Sequence, residues 1–106
     1  MLGLKACDTC RKARAALAAA GHTVHFRDVR EEPLTAAEIA GLEAAFGAEI
    51  VNRRSTTWRG LGEAERDRPV ATLLADHPAL MKRPVIRAGG EDHLGWTQAV
   101  QAALGV

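Results

Sequence analysis

The pattern of hydrophobic and polar positions at the start of the chain predicts a β-α-β unit. Leu2 and Leu4 alternate with other residues as the side chains on one face of a strand do. Over residues 9–20, small apolar residues recur at helical spacing and Gly21 follows them, which predicts a helix that ends there. Residues 23–28 carry alternating apolar side chains and predict a second strand.

The middle of the chain, about residues 35–80, has helical rather than strand periodicity. Thr35 followed by Glu38 is a capping-box pattern, and it predicts a helix that ends at Phe46. The polar residues 49–68 predict short helical turns and loops, and a further helix is predicted over residues 70–76. We therefore expect a helical insertion in this part of the chain.

The end of the chain predicts a hairpin followed by a helix. Residues 85–88 form an apolar strand pattern, and the pair Gly89-Gly90 predicts a tight return into residues 93–95. A last helix is predicted over residues 97–104. The order β-α-β, helices, β-β-α is typical of an α/β fold of the thioredoxin-like type, with a mixed four-stranded sheet and a helical insertion.

Length and composition limit the class of protein. The 106 residues are 47% hydrophobic and 25% charged, which predicts a single globular domain over residues 1–106. The net charge of +1 argues against strongly electrostatic binding to nucleic acid. No apolar run has the length of a membrane span. We expect a soluble cytoplasmic protein with neither a membrane nor nucleic acid as a direct partner.

The two cysteines, Cys7 and Cys10, form a C-x-x-C motif at the predicted turn from strand to helix. A helix N-terminus stabilises a thiolate, and we expect Asp8 to oppose this effect. Three basic residues add positive charge nearby: Lys5, Arg11 and Lys12. Because Cys10 lies one helical turn further on and should be less exposed, we predict that Cys7 is the nucleophile and Cys10 the resolving thiol.

Two other interpretations of the cysteines are open at this point. They could pack as small hydrophobic residues, or they could bind zinc together with His22 and His25 in a C-x2-C-x11-H-x2-H pattern. That pattern misses the zinc-finger spacing in the central gap and between the histidines. We therefore expect two surface histidines and no metal site.

Four segments together resemble the ArsC/Spx family of arsenate-reductase-like proteins, particularly its short reductases. They follow one another along nearly the whole chain: GLKACDTCRKA at residues 3–13, IVNRRSTTWRGL at 50–61, HPALMKRPV at 77–85 and LGW at 94–96. The resemblance implies a thioredoxin-like fold with inserted helices and a nucleophilic cysteine at Cys7. It also implies an arginine directly before a cis-proline and facing that cysteine, which Arg83-Pro84 matches.

The match departs from the arsenate reductases of the family at two of their three oxyanion-binding arginines. Arg83 matches one, the position of the second falls on Asn52, and the segment of the third contains no arginine. An anion site that lacks two charge-assisted donors should bind arsenate weakly. Arg53 and Arg54 follow Asn52 at once, and paired arginines suit the carboxylates of a glutathione-like thiol. We therefore predict a substrate-binding role for residues 52–54 and for Pro84, and we expect Trp58 and Trp96 to pack.

The function that these observations favour is that of a thiol-dependent oxidoreductase. It would use glutathione or another thiol as reductant and no bound cofactor, and its substrate would be a small thiol or an oxyanion. The alternative is a redox-sensing regulator of the Spx type, which binds RNA polymerase. A zinc-stapled structural domain is the third possibility.

Overall fold

The computed structural model describes all residues from 1 to 106 and divides them into two compact units. The first, called here the sheet unit, comprises Met1–Asp28 and Arg83–Val106. The second, the helical unit, comprises Val29–Lys82. The insertion predicted at about residues 35–80 falls inside the helical unit. The prediction that the chain forms one domain stays a prediction.

The elements follow one another in nearly the predicted order. They are β1 (Leu2–Gly3), α1 (Asp8–Ala19), β2 (Arg27–Asp28), α2 (Ala36–Phe46), a 3-10 turn (Gly47–Ile50), α3 (Thr56–Arg59), α4 (Glu63–Arg66), α5 (Val70–Asp76), a second 3-10 turn (Pro78–Leu80), β3 (Val85–Ala88), β4 (Glu91–Leu94) and α6 (Gln98–Ala103).

The strands form one mixed sheet in the order β2-β1-β3-β4. β1 pairs with β2 in parallel, and β3 is antiparallel to both of its neighbours. This arrangement confirms the predicted α/β class with a mixed four-stranded, thioredoxin-like sheet.

β2 is shorter than the strand that the sequence predicted over residues 23–28. Its parallel partner β1 pairs over two residues only, Leu2 with Arg27 and Gly3 with Asp28. Residues 23–26 therefore have no ladder partner in β1, and strand propensity without such a partner is not enough to make a strand.

The core of the sheet unit lies where α1 and the C-terminal end of α6 pack on β3. Leu17, Ile86 and Leu104 are buried there. Partly buried side chains pack around this cluster, namely Met1, Val24, Ala88, Trp96 and Val100. The expected packing of Trp96 is thus confirmed.

The helical unit begins its main helix as predicted. Thr35 accepts a hydrogen bond from the Glu38 N–H at 3.1 Å, and the Glu38 carboxylate accepts one from the Thr35 N–H at 2.8 Å. α2 contacts α5. Four of their side chains are buried, Ile39, Leu42, Leu73 and Leu74, whereas Phe46 is only half-buried. None of the helices is both long and apolar enough to cross a membrane.

Candidate active site

Cys7 occupies the N-cap position of α1. Its backbone is extended, with φ −79° and ψ 119°, and its N–H donates to the Leu4 carbonyl at 3.1 Å. Its side chain is partly exposed. The loop after β1 therefore presents a thiol that solutes can reach, beside N–H groups that an anion can use.

The surroundings of Cys7 favour its thiolate. Burial alone would raise the pKa of the Cys7 thiol. Hydrogen bonds from the Cys10 N–H, the Cys10 thiol and the Arg83 side chain, together with the charge of Arg83, outweigh that effect and lower the pKa. Cys7 is thus the more acidic of the two thiols and the better nucleophile near neutral pH.

Cys10 lies at the third position of α1 and is 0% exposed. Burial, followed by the hydrogen bond and charge of Cys7, raises its pKa to about 11, although the Leu4 N–H at its sulfur acts in the opposite direction. Cys10 is therefore a protonated donor to Cys7 in the reduced protein. Both cysteines are in the free thiol form.

Arg83 reaches Cys7 from the segment that leads into β3. The Arg83-Pro84 peptide bond is cis, as the family resemblance implied. Pro84 is buried, and its carbonyl accepts a hydrogen bond from Gly95 N–H at 2.8 Å. Within this segment, Arg83 thus places its guanidinium at the Cys7 thiol, and the Pro84 backbone is hydrogen-bonded to the residue that follows β4.

Charged residues other than Arg83 also lie near the start of α1. Asp8 and Arg11 form an exposed ion pair. The Lys5 backbone N–H donates to the Asp28 carboxylate at 2.9 Å. The groups that lower the pKa of Cys7 are Cys10 and Arg83, whereas the sequence pointed to Lys5, Arg11 and Lys12.

Residues 52–54 belong to the helical unit, where each of them has a local interaction. The Asn52 side chain accepts from the Arg54 N–H at 3.0 Å, and its backbone N–H donates to Leu80 O at 2.8 Å. Arg53 donates to Ala48 O at 3.2 Å, and its guanidinium lies 5.4 Å from the centre of the Trp58 ring. The predicted role of these residues in binding substrate stays a prediction.

The histidines of the zinc interpretation are exposed. His22 Nε2 lies 2.8 Å from the Leu104 carbonyl, so this nitrogen is the donor of a hydrogen bond that joins α6 to the segment after α1. No group of three or more His, Cys, Asp or Glu side chains converges on a common point. The C-x2-C-x11-H-x2-H spacing therefore corresponds to no cluster of ligands in the fold.

The family model described as the ArsC family matches residues 2–104. The chain belongs to the ArsC family. A protein of Haemophilus influenzae described only as uncharacterized is 37% identical over 101 residues, which are 91% of this chain and 89% of that protein.

Two solved structures of similar length have the same fold. The YFFB protein superposes with a TM-score of 0.88 at 30% identity, over 97% of this chain and 95% of that one. An arsenate reductase (ArsC) related protein from Brucella melitensis superposes with a TM-score of 0.76 at 31% identity, over 99% and 92%. At the coarse level, this membership of the ArsC family supports a thiol-based, reductase-like function, that of an oxidoreductase.

Proposed function

We propose that this ArsC family member is a thiol-disulfide oxidoreductase that reduces small disulfides, with Cys7 as nucleophile, Cys10 as resolving thiol and a thiol of the glutathione type as reductant. The observation that carries the proposal is the set of hydrogen bonds at the Cys7 sulfur. A partly exposed sulfur accepts hydrogen bonds from an arginine and from a fully buried second thiol, and its pKa is lowered.

The first step uses the acidic thiol. The Cys7 thiolate attacks one sulfur of a small disulfide, a bond forms between Cys7 and that sulfur, and the other half of the substrate leaves as a thiolate that takes up a proton. Cys7 supplies this step because the attacking group must be ionised at working pH and within reach of solutes.

The second step uses the buried thiol. Once Cys7 is part of a mixed disulfide, its negative charge no longer raises the pKa of Cys10. Cys10 loses its proton to the departing thiolate and attacks the Cys7 sulfur, so that a Cys7–Cys10 disulfide forms and the rest of the substrate leaves. Two molecules of glutathione then supply two electrons to this disulfide: both cysteines return to thiols, and the two glutathiones are joined as oxidised glutathione.

Arg83 gives the site a preference for anionic substrates. Its planar guanidinium is permanently charged and can bind a carboxylate or an oxyanion next to the reacting sulfur. The Brucella relative is described as related to arsenate reductase, so arsenate is the oxyanion to compare. We expect it to be a poor substrate, since two of the three arginine positions of the arsenate reductases hold other residues.

The test is steady-state turnover coupled to glutathione, with a small carboxylate-bearing disulfide and arsenate compared side by side. We expect disulfide reduction by the wild-type chain, none above background by Cys7→Ser, and accumulation of the mixed disulfide in Cys10→Ser. Thr23→Ser, an exposed change that removes one methyl group, is the control.

Turnover that persists in Cys7→Ser would contradict the proposed nucleophile. A redox-dependent complex with RNA polymerase, formed by a wild-type chain without turnover on either substrate, would instead favour the redox-sensing regulator.

A further inference from the structure

Gly3 lies where the sulfur of Cys10 meets the backbone of β1. A Cβ atom at position 3 would stand 2.6 Å from Cys10 Sγ and 3.1 Å from Phe26 Cε2. Gly3 is not among the glycines with positive φ, so the conformation of its backbone does not require glycine. Space does, because the Cys10 sulfur occupies the volume that a side chain at position 3 would need.

The sulfur has little freedom to move out of that volume. Cys10 is 0% exposed, and its sulfur has a hydrogen bond with the backbone of Leu4. The Phe26 ring is held in turn by the Arg14 guanidinium, 4.3 Å from its centre. Helix geometry disfavours one of the three χ1 rotamers of Cys10. The sulfur therefore has few other positions in which it would avoid an added methyl group at position 3.

We propose that Gly3 is a positioning residue of the thiol pair. Because Gly3 has no side chain, the Cys10 sulfur can lie close against β1, in the position from which it faces Cys7. The inference deepens the proposed function and rests on it in one respect, that Cys10 acts on Cys7. Gly3 itself touches neither substrate nor Cys7 in this account, and it acts through Cys10.

Displacing the Cys10 sulfur should change two properties of Cys7. Cys7 would lose the hydrogen bond from the Cys10 thiol, so its pKa would rise, while Arg83 and the Cys10 N–H would still favour the thiolate. Attack by Cys10 on a mixed disulfide at Cys7 would also slow, because the two sulfurs would no longer be aligned. Asp8, the nearby carboxylate, is paired with Arg11.

The experiment compares Gly3→Ala with Gly41→Ala in the full chain. An added Cβ at Gly41 meets nothing within 4 Å, which makes it a matched glycine control. The first readout is the alkylation rate of Cys7 against pH. The second is the lifetime of the mixed disulfide that Cys7 forms with oxidised glutathione. One glutathione leaves when Cys7 attacks, and the other leaves when Cys10 attacks the mixed disulfide. Neither readout needs catalytic turnover.

In Gly3→Ala we expect the Cys7 midpoint to move to higher pH and intramolecular closure to slow by about ten- to hundredfold. In a Cys10→Ala background the sulfur is absent, so adding Gly3→Ala should leave the Cys7 midpoint unchanged. A shift of equal size in that background, or wild-type values in Gly3→Ala, would overturn the proposal.

Gly3→Ala could also prevent folding. The comparison of Gly3→Ala with the Gly3→Ala, Cys10→Ala double variant then tests the proposal. The proposal predicts that Cys10→Ala restores folding to Gly3→Ala, because it removes the atom at 2.6 Å. If the double variant also fails to fold, the clash lies in the strand or with Phe26, 3.1 Å from the added Cβ, and the role assigned to Gly3 is wrong. Failure of the proposed function looks different: both readouts behave as expected, and the glutathione-coupled assay shows no repeated turnover of any disulfide.

Discussion

At the residue scale, the chemistry of the site depends on two neighbouring thiols in unlike surroundings. Cys7 is partly exposed and has hydrogen bonds that favour its thiolate, whereas Cys10 is buried with a pKa raised to about 11. The C-x-x-C spacing was enough to predict that Cys10 is the less exposed of the two, since that depends on local helix geometry. The contact between Gly3 and Cys10 was not predictable from spacing, because it joins a strand to a helix. A glycine inside a strand pattern was the available signal.

Arg83→Ala should lower the rate of disulfide reduction about tenfold. A hydrogen bond to a charged group contributes about 1.5–3 kcal/mol, and the lower end applies here because the Cys7 sulfur is partly exposed. Lys82→Ala removes an exposed side chain at the preceding position and should leave the rate within about twofold, as expected of surface changes. The glutathione-coupled assay measures both variants. Equal losses in the two would mean that the charge of this segment, and not the Arg83 contact with Cys7, determines the rate.

At the element scale, the elements with strong local signals were predicted well. The Thr35 capping box and Gly47 set the ends of α2, and the pair Gly89-Gly90 sets the β3–β4 turn. These signals act over a few residues and so can be recognised in a sequence. The length of β2 depends instead on how far its partner β1 extends, which is a tertiary property. The placement of Arg83 beside Cys7 was implied by the family resemblance and has no local signal.

Replacing a glycine by alanine should change the stability of the fold in opposite directions in the hairpin turn and in α2. Gly90 has a φ of 83°, a region that residues with a Cβ avoid at a cost of about 1–2 kcal/mol. Gly90→Ala should therefore destabilise the fold by about that amount. Gly41→Ala, inside α2 and open to solvent, should stabilise it by about 0.5–1 kcal/mol. Urea unfolding of the two variants measures both. A loss of stability in Gly41→Ala would contradict its placement inside the helix, and unchanged stability in Gly90→Ala would contradict the positive φ of the turn.

At the scale of the whole molecule, the unlike pKa values of the two thiols couple stability to pH. In the unfolded chain Cys10 titrates near the ordinary thiol value, about 8.5, whereas burial and the neighbouring Cys7 raise its folded pKa to about 11. The folded state therefore holds this proton more tightly. The resulting stabilisation is complete below about pH 8.5 and is lost as the pH rises toward about 11.

The reduced wild-type chain should accordingly lose up to roughly 3 kcal/mol more stability than Cys10→Ala between about pH 8.5 and 11. Cys7 does not cancel this loss, because a lowered pKa contributes stability that is already complete above the unfolded value. Unfolding free energies at a series of pH values, under a non-thiol reductant, give the comparison. Parallel curves for the two proteins would show that Cys10 titrates in the folded state as it does in the unfolded chain.

The proposed chemistry requires that Cys7 is the activated thiol and Cys10 the buried one. The most direct measurement is the rate of iodoacetamide alkylation of the reduced protein against pH, with the modified cysteine identified by fragment mass. Cys7 should react alone, with a midpoint below the ordinary thiol value, about 8.5, while Cys10 stays unmodified until the chain unfolds. A midpoint at or above the ordinary value, or alkylation of Cys10 before Cys7, would contradict the proposed chemistry.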